Sequence, residues 1–425
     1  MNVLILGSGG REHAMAWKIS QSPRCKKLYI APGNPGTALC GENVPLQLND
    51  FPAIGKFAKD HAIDLVVVGP EEPLVKGMAD YFSRDAALKN LLFVGPTAGG
   101  ARLEGSKAFA KGFMRRHGIP TAAYRSFTRE SVEQGKAFLQ SMAAPYVLKA
   151  DGLAAGKGVI ICDSLNEAYE TLDEMLCSEL FGQASATVVI EEFLQGREVS
   201  VFIVTDGKSY VMLPAAKDYK RIGEEDTGPN TGGMGAVSPV PFADKKFMAK
   251  VEERIIRPTI GGLIKEGVAY CGFIFFGLME VDGDPFVIEY NVRLGDPEAE
   301  AILPRISSDF LDLMEAAAKG ALDKHRLIIS LQHAATVVLA SGGYPGNYET
   351  GFPLFNLEHT EGSQVFYAGV KREGGSLKTS GGRVLAITSL GGDTAKALKA
   401  SYATARLVDF RGKYCRYDIG KDLLP

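Results

Sequence analysis

No apolar run in this sequence approaches the roughly 20 residues that cross a bilayer, so no membrane span is expected. Nor is there an excess of basic residues. The formal net charge is −3, which lacks the cationic footprint that tracks nucleic-acid phosphates. The six cysteines (Cys25, Cys40, Cys162, Cys177, Cys271 and Cys415) are scattered, with no C-x-x-C pair and no closely placed histidine. That spacing excludes the usual zinc sites and points to free thiols in a reducing compartment. Met1 to Leu6 run into Gly7 without a basic leader, so this stretch reads as a buried strand rather than a signal peptide, and the expected location is the cytoplasm. Internal repeats and low-complexity tracts are missing too. These absences leave small molecules as the expected partners, with no nucleic acid and no membrane, for a monomer or small homo-oligomer.

What is present is material for several cores: 425 residues, 46% hydrophobic and 23% charged. The expected fold class is mixed α/β and α+β, in several domains. Residues 1–104 alternate short apolar runs (Val3 to Leu6, Leu28 to Ala31, Leu65 to Val68, Leu91 to Val94) with stretches of helical period, the pattern of a doubly wound parallel sheet. Each run ends in glycine or proline, at the edge where such sheets bind ligands. Residues 105–194 read as a small α+β unit with a helix from Ser106 to His117 and strands at Tyr146 to Ala150, Val159 to Cys162 and Thr187 to Phe193. Residues 195–325 place hairpins at Asp206-Gly207 and Asp282-Gly283 around a long polar loop from Asp218 to Pro239. Residues 326–425 form a small β-rich domain with one helix near Thr394 to Thr404.

The turn Gly7-Ser8-Gly9-Gly10-Arg11-Glu12 invites comparison with dinucleotide sites, but Glu12 stands where the third glycine of G-x-G-x-x-G is needed. The strand from Leu28 also runs into Pro32-Gly33 without an acid for a ribose hydroxyl. A single phosphate, held by backbone N–H groups and Arg11, suits this turn better.

The sharpest feature is Lys149-Ala150-Asp151-Gly152-Leu153-Ala154-Ala155-Gly156-Lys157-Gly158-Val159, a strand end opening into a loop of small residues with two lysines. Glycine lets backbone approach phosphate oxygens, and the lysines neutralise their charge. The loop joins strand to strand and lacks G-K-[ST], so it is not a Walker A loop. Glu191-Glu192-Phe193-Leu194-Gln195-Gly196-Arg197-Glu198 follows an apolar strand as a hinge would, offering backbone to adenine and a carboxylate to ribose. In Glu289-Tyr290-Asn291-Val292-Arg293 the strand period puts Glu289, Asn291 and Arg293 on one face. Two oxygen donors with one carboxylate suit Mg2+ shared with substrate phosphates, and Arg293 can hold a carboxylate. Glu280, across the hairpin, is a further metal candidate. The loop Asp226 to Gly235 follows the charged run Lys217-Asp218-Tyr219-Lys220-Arg221 and reads as a cover that excludes water from reacting phosphates.

In this order, these segments resemble the ATP-grasp ligases. Gly7 to His13, Gly69-Pro70-Glu71, Glu104-Gly105-Ser106-Lys107, Lys149 to Val159, Asp226 to Ala236 and Glu289 to Glu298 are similar to the phosphoribosylamine–glycine ligase family, across essentially the whole chain. The resemblance implies a centre of ATP-grasp fold, split at residues 194/195 into a smaller and a larger subdomain. It implies Mg2+ (or Mn2+), ATP, glycine and 5-phosphoribosylamine as small-molecule partners. Lys107, Lys149, Gly156, Lys157 and Gly158 would meet ATP phosphates, Glu191 and the Phe193-Leu194 backbone adenine, Glu198 the ribose, and Glu289 with Asn291 the metal. Arg293, Lys217 and Asp218 would be catalytic, and Gly295, Asp296 and Pro297 would face glycine. Gly9, Gly10, Arg11 and Glu71 would take the amine substrate. Two departures stand out: Val292 and Leu294 where many relatives carry cysteine and phenylalanine, and Tyr219 where histidine is common. Ending at Pro425, the chain reads as a stand-alone bacterial form. Another ATP-grasp ligase or carboxylase, or a non-catalytic nucleotide-binding relative, is the competing expectation.

Overall fold

The computed structural model describes residues 1–424 except 154–157, 179 and 361. Its first hundred residues form the expected parallel sheet. Strands Asn2–Gly7, Lys27–Pro32, Glu42–Asn43, Leu65–Val68 and Leu92–Val94 lie in the order third, second, first, fourth, fifth. Both faces are covered, which explains the unbroken apolar runs. Leu4 and Leu6 pack with Ile54, Leu74 and Phe82 on one side. Val3 and Ile5 pack with Ala14, Met15 and Ile19 on the other.

Strand order reverses between Asn2–Gly7 and Leu65–Val68, the crevice where dinucleotides bind in related sheets. Here Glu12 fills it. A Cβ on Gly7 would meet the Glu12 Cγ at 2.3 Å and one on Gly69 its Oε1 at 2.1 Å, so both glycines are needed to admit that side chain.

The next unit is a four-stranded antiparallel sheet in the order Tyr124–Thr128, Thr187–Glu192, Tyr146–Ala150, Val159–Cys162. Its core joins Leu148 and Ile190 to Leu139 and Leu172 of the helices Val132–Gln140 and Leu165–Cys177. The strand Tyr124–Thr128 and the helix Val132–Gln140 were not expected; only Phe127 of that strand is buried, which leaves a weak apolar signal. A second antiparallel sheet runs Tyr210–Met212, Arg197–Thr205, Gly272–Val281, Asp284–Asn291.

The expected open loop from Asp218 to Pro239 is instead built into sheets. Arg221–Gly223 pairs with Thr227–Asn230, and Gly235–Ser238 pairs with both Lys217–Asp218 and His333–Ala340. The last of these belongs to the C-terminal sheet, which continues through Arg383–Gly391 to Gln364–Tyr367 beneath the helix Thr394–Leu407. Met234, Ala236 and Val237 are fully buried there, whereas Thr227 to Pro229 and Gly232 are exposed, so the glycine-rich stretch is anchored at its C-terminal end and carries an exposed hairpin. The partner strand lies some hundred residues later, out of reach of any local pattern.

The parallel sheet is tied to the C-terminal sheet through His13. Its Nδ1 accepts a 2.8 Å hydrogen bond from the Tyr367 N–H, and its ring sits edge-on to Phe366 and Tyr367. Burial pushes this imidazole down to about 4, so it is neutral in the folded protein. The unfolded chain protonates near the ordinary value of about 6.5. The stability contributed by the neutral ring is therefore present above about pH 6.5 and lost as pH falls towards 4, by about 3 kcal/mol. Urea unfolding between pH 7.5 and 4 is expected to show a fall in midpoint that is shallower in His13→Gln, which keeps an acceptor but does not titrate.

Candidate active site

The glycine-rich loop opens where the strand Tyr146–Ala150 meets the helix Lys107–Arg116. Asp151 caps that helix: the Ala108 N–H donates to its Oδ1 at 2.6 Å and the Ser106 hydroxyl donates at 3.1 Å. The cap sets Lys107 at the start of the helix, with its ammonium donating to the Gly152 carbonyl at 3.2 Å. Gly156 and Lys157 lie outside the described residues. Gly158 accepts the Ala150 N–H at 2.8 Å.

Lys149 reaches Glu191 Oε2 at 3.0 Å, and Lys111, one turn along the helix from Lys107, reaches the same oxygen at 2.7 Å. The other oxygen, Oε1, is buried with no hydrogen-bond partner among the described residues. Burial pushes the Lys111 amine down to about 8, against the attraction of Glu191. Burial also lowers Lys107, with Glu289 opposing it. Beyond Glu191 the chain turns outward at Phe193, which is exposed.

Glu289 and Asn291 share a face, with Asn291 Nδ2 3.5 Å from Glu289 Oε1. Burial would raise the Glu289 carboxyl, but Lys220, Lys149, Lys107 and Arg293 outweigh it and hold it below the usual range. Glu280 is not part of this group. It pairs with Arg197 at 2.7 Å and accepts the Gly283 N–H, several residues away along the hairpin.

The run from Lys217 divides by strand alternation. Asp218 and Lys220 face inward: Lys220 donates to Glu198 Oε2 at 2.9 Å and lies near Glu289. Burial pushes Asp218 up to about 8, reinforced by Glu298, Glu198 and Glu289 and opposed by Lys220. Lys217 and Tyr219 face the other way. Lys217 pairs with Asp422, and the Tyr219 hydroxyl donates to the same carboxylate at 2.6 Å. Lys220 thus faces the cluster of Glu198 and Glu289, whereas Lys217 and Tyr219 point to Asp422 on the C-terminal side. Glu198, expected at a ribose, is bonded to Lys220.

Arg293 joins this face to the N-terminal sheet. Its Nη2 donates to Asn291 Oδ1 at 3.0 Å and pairs with Glu104 at 2.9 Å, and its Nε lies 3.5 Å from Glu71. Glu104 also accepts the Val292 N–H at 2.7 Å, and burial pushes its carboxyl up to about 7 despite Arg293. Burial raises Glu71 as well, but Arg293 and Arg11 reverse the sign.

At the Gly9-Gly10-Arg11 turn, the anion position expected for a phosphate holds the protein's own carboxylates. Glu12 accepts the Gly9 N–H at 2.6 Å, and Asp296 accepts the Arg11 N–H at 3.4 Å. Asp296 pairs in turn with Arg383 at 2.9 Å, which donates to the Gly232 carbonyl at 2.7 Å. Gly295 gives room to Glu298, and Pro297 packs against Gly233. Two clefts, of about 670 and 350 Å3, lie apart from all of this, one beside Lys59 and Glu315 and one beside Phe352 and Arg411.

Lys111, Lys220, Glu104, Glu298, Glu300 and Arg383 are members of the cluster that the sequence did not single out. Lys111 was findable, four residues after Lys107 on one helix face. Arg383 was not, because nothing near it in sequence carries chemistry.

Comparison with known proteins places this geometry in context. The family model for phosphoribosylglycinamide synthetase matches in three parts: its N domain over residues 1–104, its ATP-grasp (A) domain over 105–299 and its C domain over 334–422. Proteins named phosphoribosylamine–glycine ligase are similar along the whole chain. That of Chlorobaculum tepidum is 48% identical over 432 residues, covering 100% of both, and that of Vibrio cholerae is 47% identical, covering 99% of this chain and 98% of that protein. The crystal structure of phosphoribosylamine–glycine ligase from Thermotoga maritima superposes with a TM-score of 0.85 at 37% identity, covering 98% of this chain and 100% of that one. A Campylobacter jejuni biotin carboxylase, at 15% identity and a TM-score of 0.69 over 97% of this chain and 93% of that one, shares the fold alone.

The division of the 217–220 run generates a test. Lys220→Ala leaves Asp218, Glu198 and Glu289 without their shared cation and is expected to weaken ATP binding about tenfold, or about 1.4 kcal/mol. Lys217→Ala is expected to stay within about twofold of native affinity. Calorimetric titration with Mg-ATP, alongside thermal unfolding to check the fold, distinguishes the two; equal losses would refute the assignment.

Proposed function

The chain belongs to the phosphoribosylglycinamide synthetase family, and we propose that it joins glycine to 5-phosphoribosylamine at the expense of ATP, through a glycyl phosphate. The products are glycinamide ribonucleotide, ADP and phosphate, the second step of purine biosynthesis. The observation that carries the reading is the meeting, through Arg293, of the lysine-lined face bearing Glu289 and Asn291 with the Glu71 end of the parallel sheet. A phosphoryl donor on one side and an amine on the other would share that junction.

Transfer of a phosphoryl group demands positioning and charge rather than a protein nucleophile. Lys107 and Lys149 are proposed to bind ATP phosphates, with Glu191 and the Phe193-Leu194 backbone at adenine. Glu289 and Asn291, one carboxylate and one amide oxygen, would hold a Mg2+ or Mn2+ ion. Such an ion neutralises phosphate charge when bound. No group of three or more acidic, histidine or cysteine side chains forms a closed metal cage among the described residues, in keeping with a site completed by substrate.

Arg293 and the Gly295-Asp296-Pro297 turn are proposed to orient glycine, whose carboxylate oxygen takes the γ-phosphoryl group. The amine nitrogen then attacks the glycyl carbonyl carbon; the C–N bond forms, the C–O bond to phosphate breaks, and the amine gives up a proton. Hydroxyl and amine donors of phosphoribosylamine match the acceptors Glu71 and Asp296 near Gly9, Gly10 and Arg11. Arg11 and Arg383 lie at this turn, each paired with a carboxylate (Glu12 and Asp296), and would meet the substrate's phosphate through their remaining N–H donors. We place the reaction in the cytoplasm, where the six free thiols would persist. Among the described residues no helix is long and apolar enough to cross a membrane.

ADP release measured with Mg-ATP, glycine and freshly generated 5-phosphoribosylamine, omitting each in turn, is expected to require all three. Release without glycine would select another ligase or a carboxylase, and binding of ATP without release would select a non-catalytic relative. Glu289→Gln and Asn291→Ala are each expected to lower turnover about a hundredfold with an unchanged unfolding midpoint; near-native turnover in both would remove the metal assignment.

A further inference from the structure

Glu300, in the short helix Glu298–Ile302, is fully buried, and neither of its carboxyl oxygens has a hydrogen-bond partner among the described residues. Its Oε1 occupies the notch left by Gly10, where a Cβ would stand only 2.3 Å away. The charged groups that face it are Asp296 on its own segment, Arg383 on the strand Arg383–Gly391 and Arg11 on the helix Gly10–Ser20. Arg383 is already paired with Asp296 at 2.9 Å and Arg11 with Glu12 at 2.6 Å, so neither arginine is given over to Glu300.

We propose that Glu300 is a positioning residue for the amine substrate: seated in the notch of Gly10 with Asp296 nearby, its carboxyl group sets the place of the Gly9-Gly10-Arg11 turn and of the Asp296–Arg383 pair. A buried carboxylate ion without a partner is costly, so the group is held as the neutral acid. Burial and the neighbouring Asp296 both push its carboxyl well above the carboxylate range. Glutamine, with the same shape and no proton to lose, reproduces the neutral state.

This inference rests on the assignment of the turn to 5-phosphoribosylamine. Its test is the KM for each substrate in native, Glu300→Gln and Glu300→Ala protein at pH 7, with the amine generated in place. The KM for the amine in Glu300→Gln is expected to stay within about twofold of native, because the amide keeps the shape of the neutral acid. Glu300→Ala is expected to raise the KM for the amine about tenfold and leave the KM for ATP unchanged. A Glu300→Gln KM for the amine raised as far as that of Glu300→Ala, or equal changes in both KM values for Ala, would overturn the proposal. Should Glu300→Ala fail to fold, the native-to-Gln comparison decides alone. Absence of amine-dependent ADP release from the native protein would mean that the functional reading had failed. Calorimetric binding of ribose 5-phosphate to native, Gln and Ala proteins would then decide on Glu300, with equal affinity in native and Ala refuting it.

Discussion

The guanidinium of Arg293 holds three separated parts of the chain at one point: Asn291 at the end of its own strand, Glu104 before the helix that carries Lys107, and Glu71 at the ligand edge of the parallel sheet. Its planar set of donors can serve several carboxyl and amide oxygens at once, which a lysine ammonium cannot do with fixed angles. Arg293 is partly buried, so removing one partner leaves the remaining charges short of compensation. The relation between the face carrying Glu289 and Asn291 and the N-terminal sheet therefore depends on this one side chain.

Around that point the site is a balance of opposite charges in a poorly hydrated volume. Lys107, Lys111, Lys149 and Lys220 stand against Glu191, Glu198, Asp218 and Glu289, and Arg11, Arg293 and Arg383 against Glu12, Glu71, Glu104 and Asp296. Burial moves several of these groups far from their ordinary titration range, while their partners pull them back. A phosphate entering the first set meets cations whose positions are already fixed by carboxylates. An environment with its dipoles in place need not reorganise as charge moves, which is the main physical source of catalysis in phosphoryl transfer.

Much of this was legible along the chain, and the reason is local periodicity. Runs such as Val3 to Leu6 and Leu65 to Val68 are buried on both faces, so their pattern needs no context. The alternation from Glu289 to Arg293 correctly put three side chains on one face. The same rule, applied to residues 217–220, separates Lys220 from Lys217, although only the neighbours across the sheet tell which face is inward. The stretch from Asp226 to Gly235 was legible only in part. Thr227–Asn230 closes a short hairpin on Arg221–Gly223, whereas Met234 and Gly235 meet His333–Ala340 and Gly232 meets Arg383, contacts that no short window contains.

The sequence by itself determined the fold class, the parallel sheet and the face carrying Glu289, Asn291 and Arg293, since each follows from residue type at spacings of two to four positions. Only the tertiary structure decided that Glu12 fills the crevice of the sheet, that Lys220 rather than Lys217 faces the cluster, and that Arg383 and Glu300 lie beside Asp296 and the Gly9-Gly10-Arg11 turn. Those outcomes depend on which charges share a volume from which water is excluded. Residues 10, 296, 300 and 383 meet there because three distant segments of backbone converge, and nothing in the local pattern of any one segment records the other two.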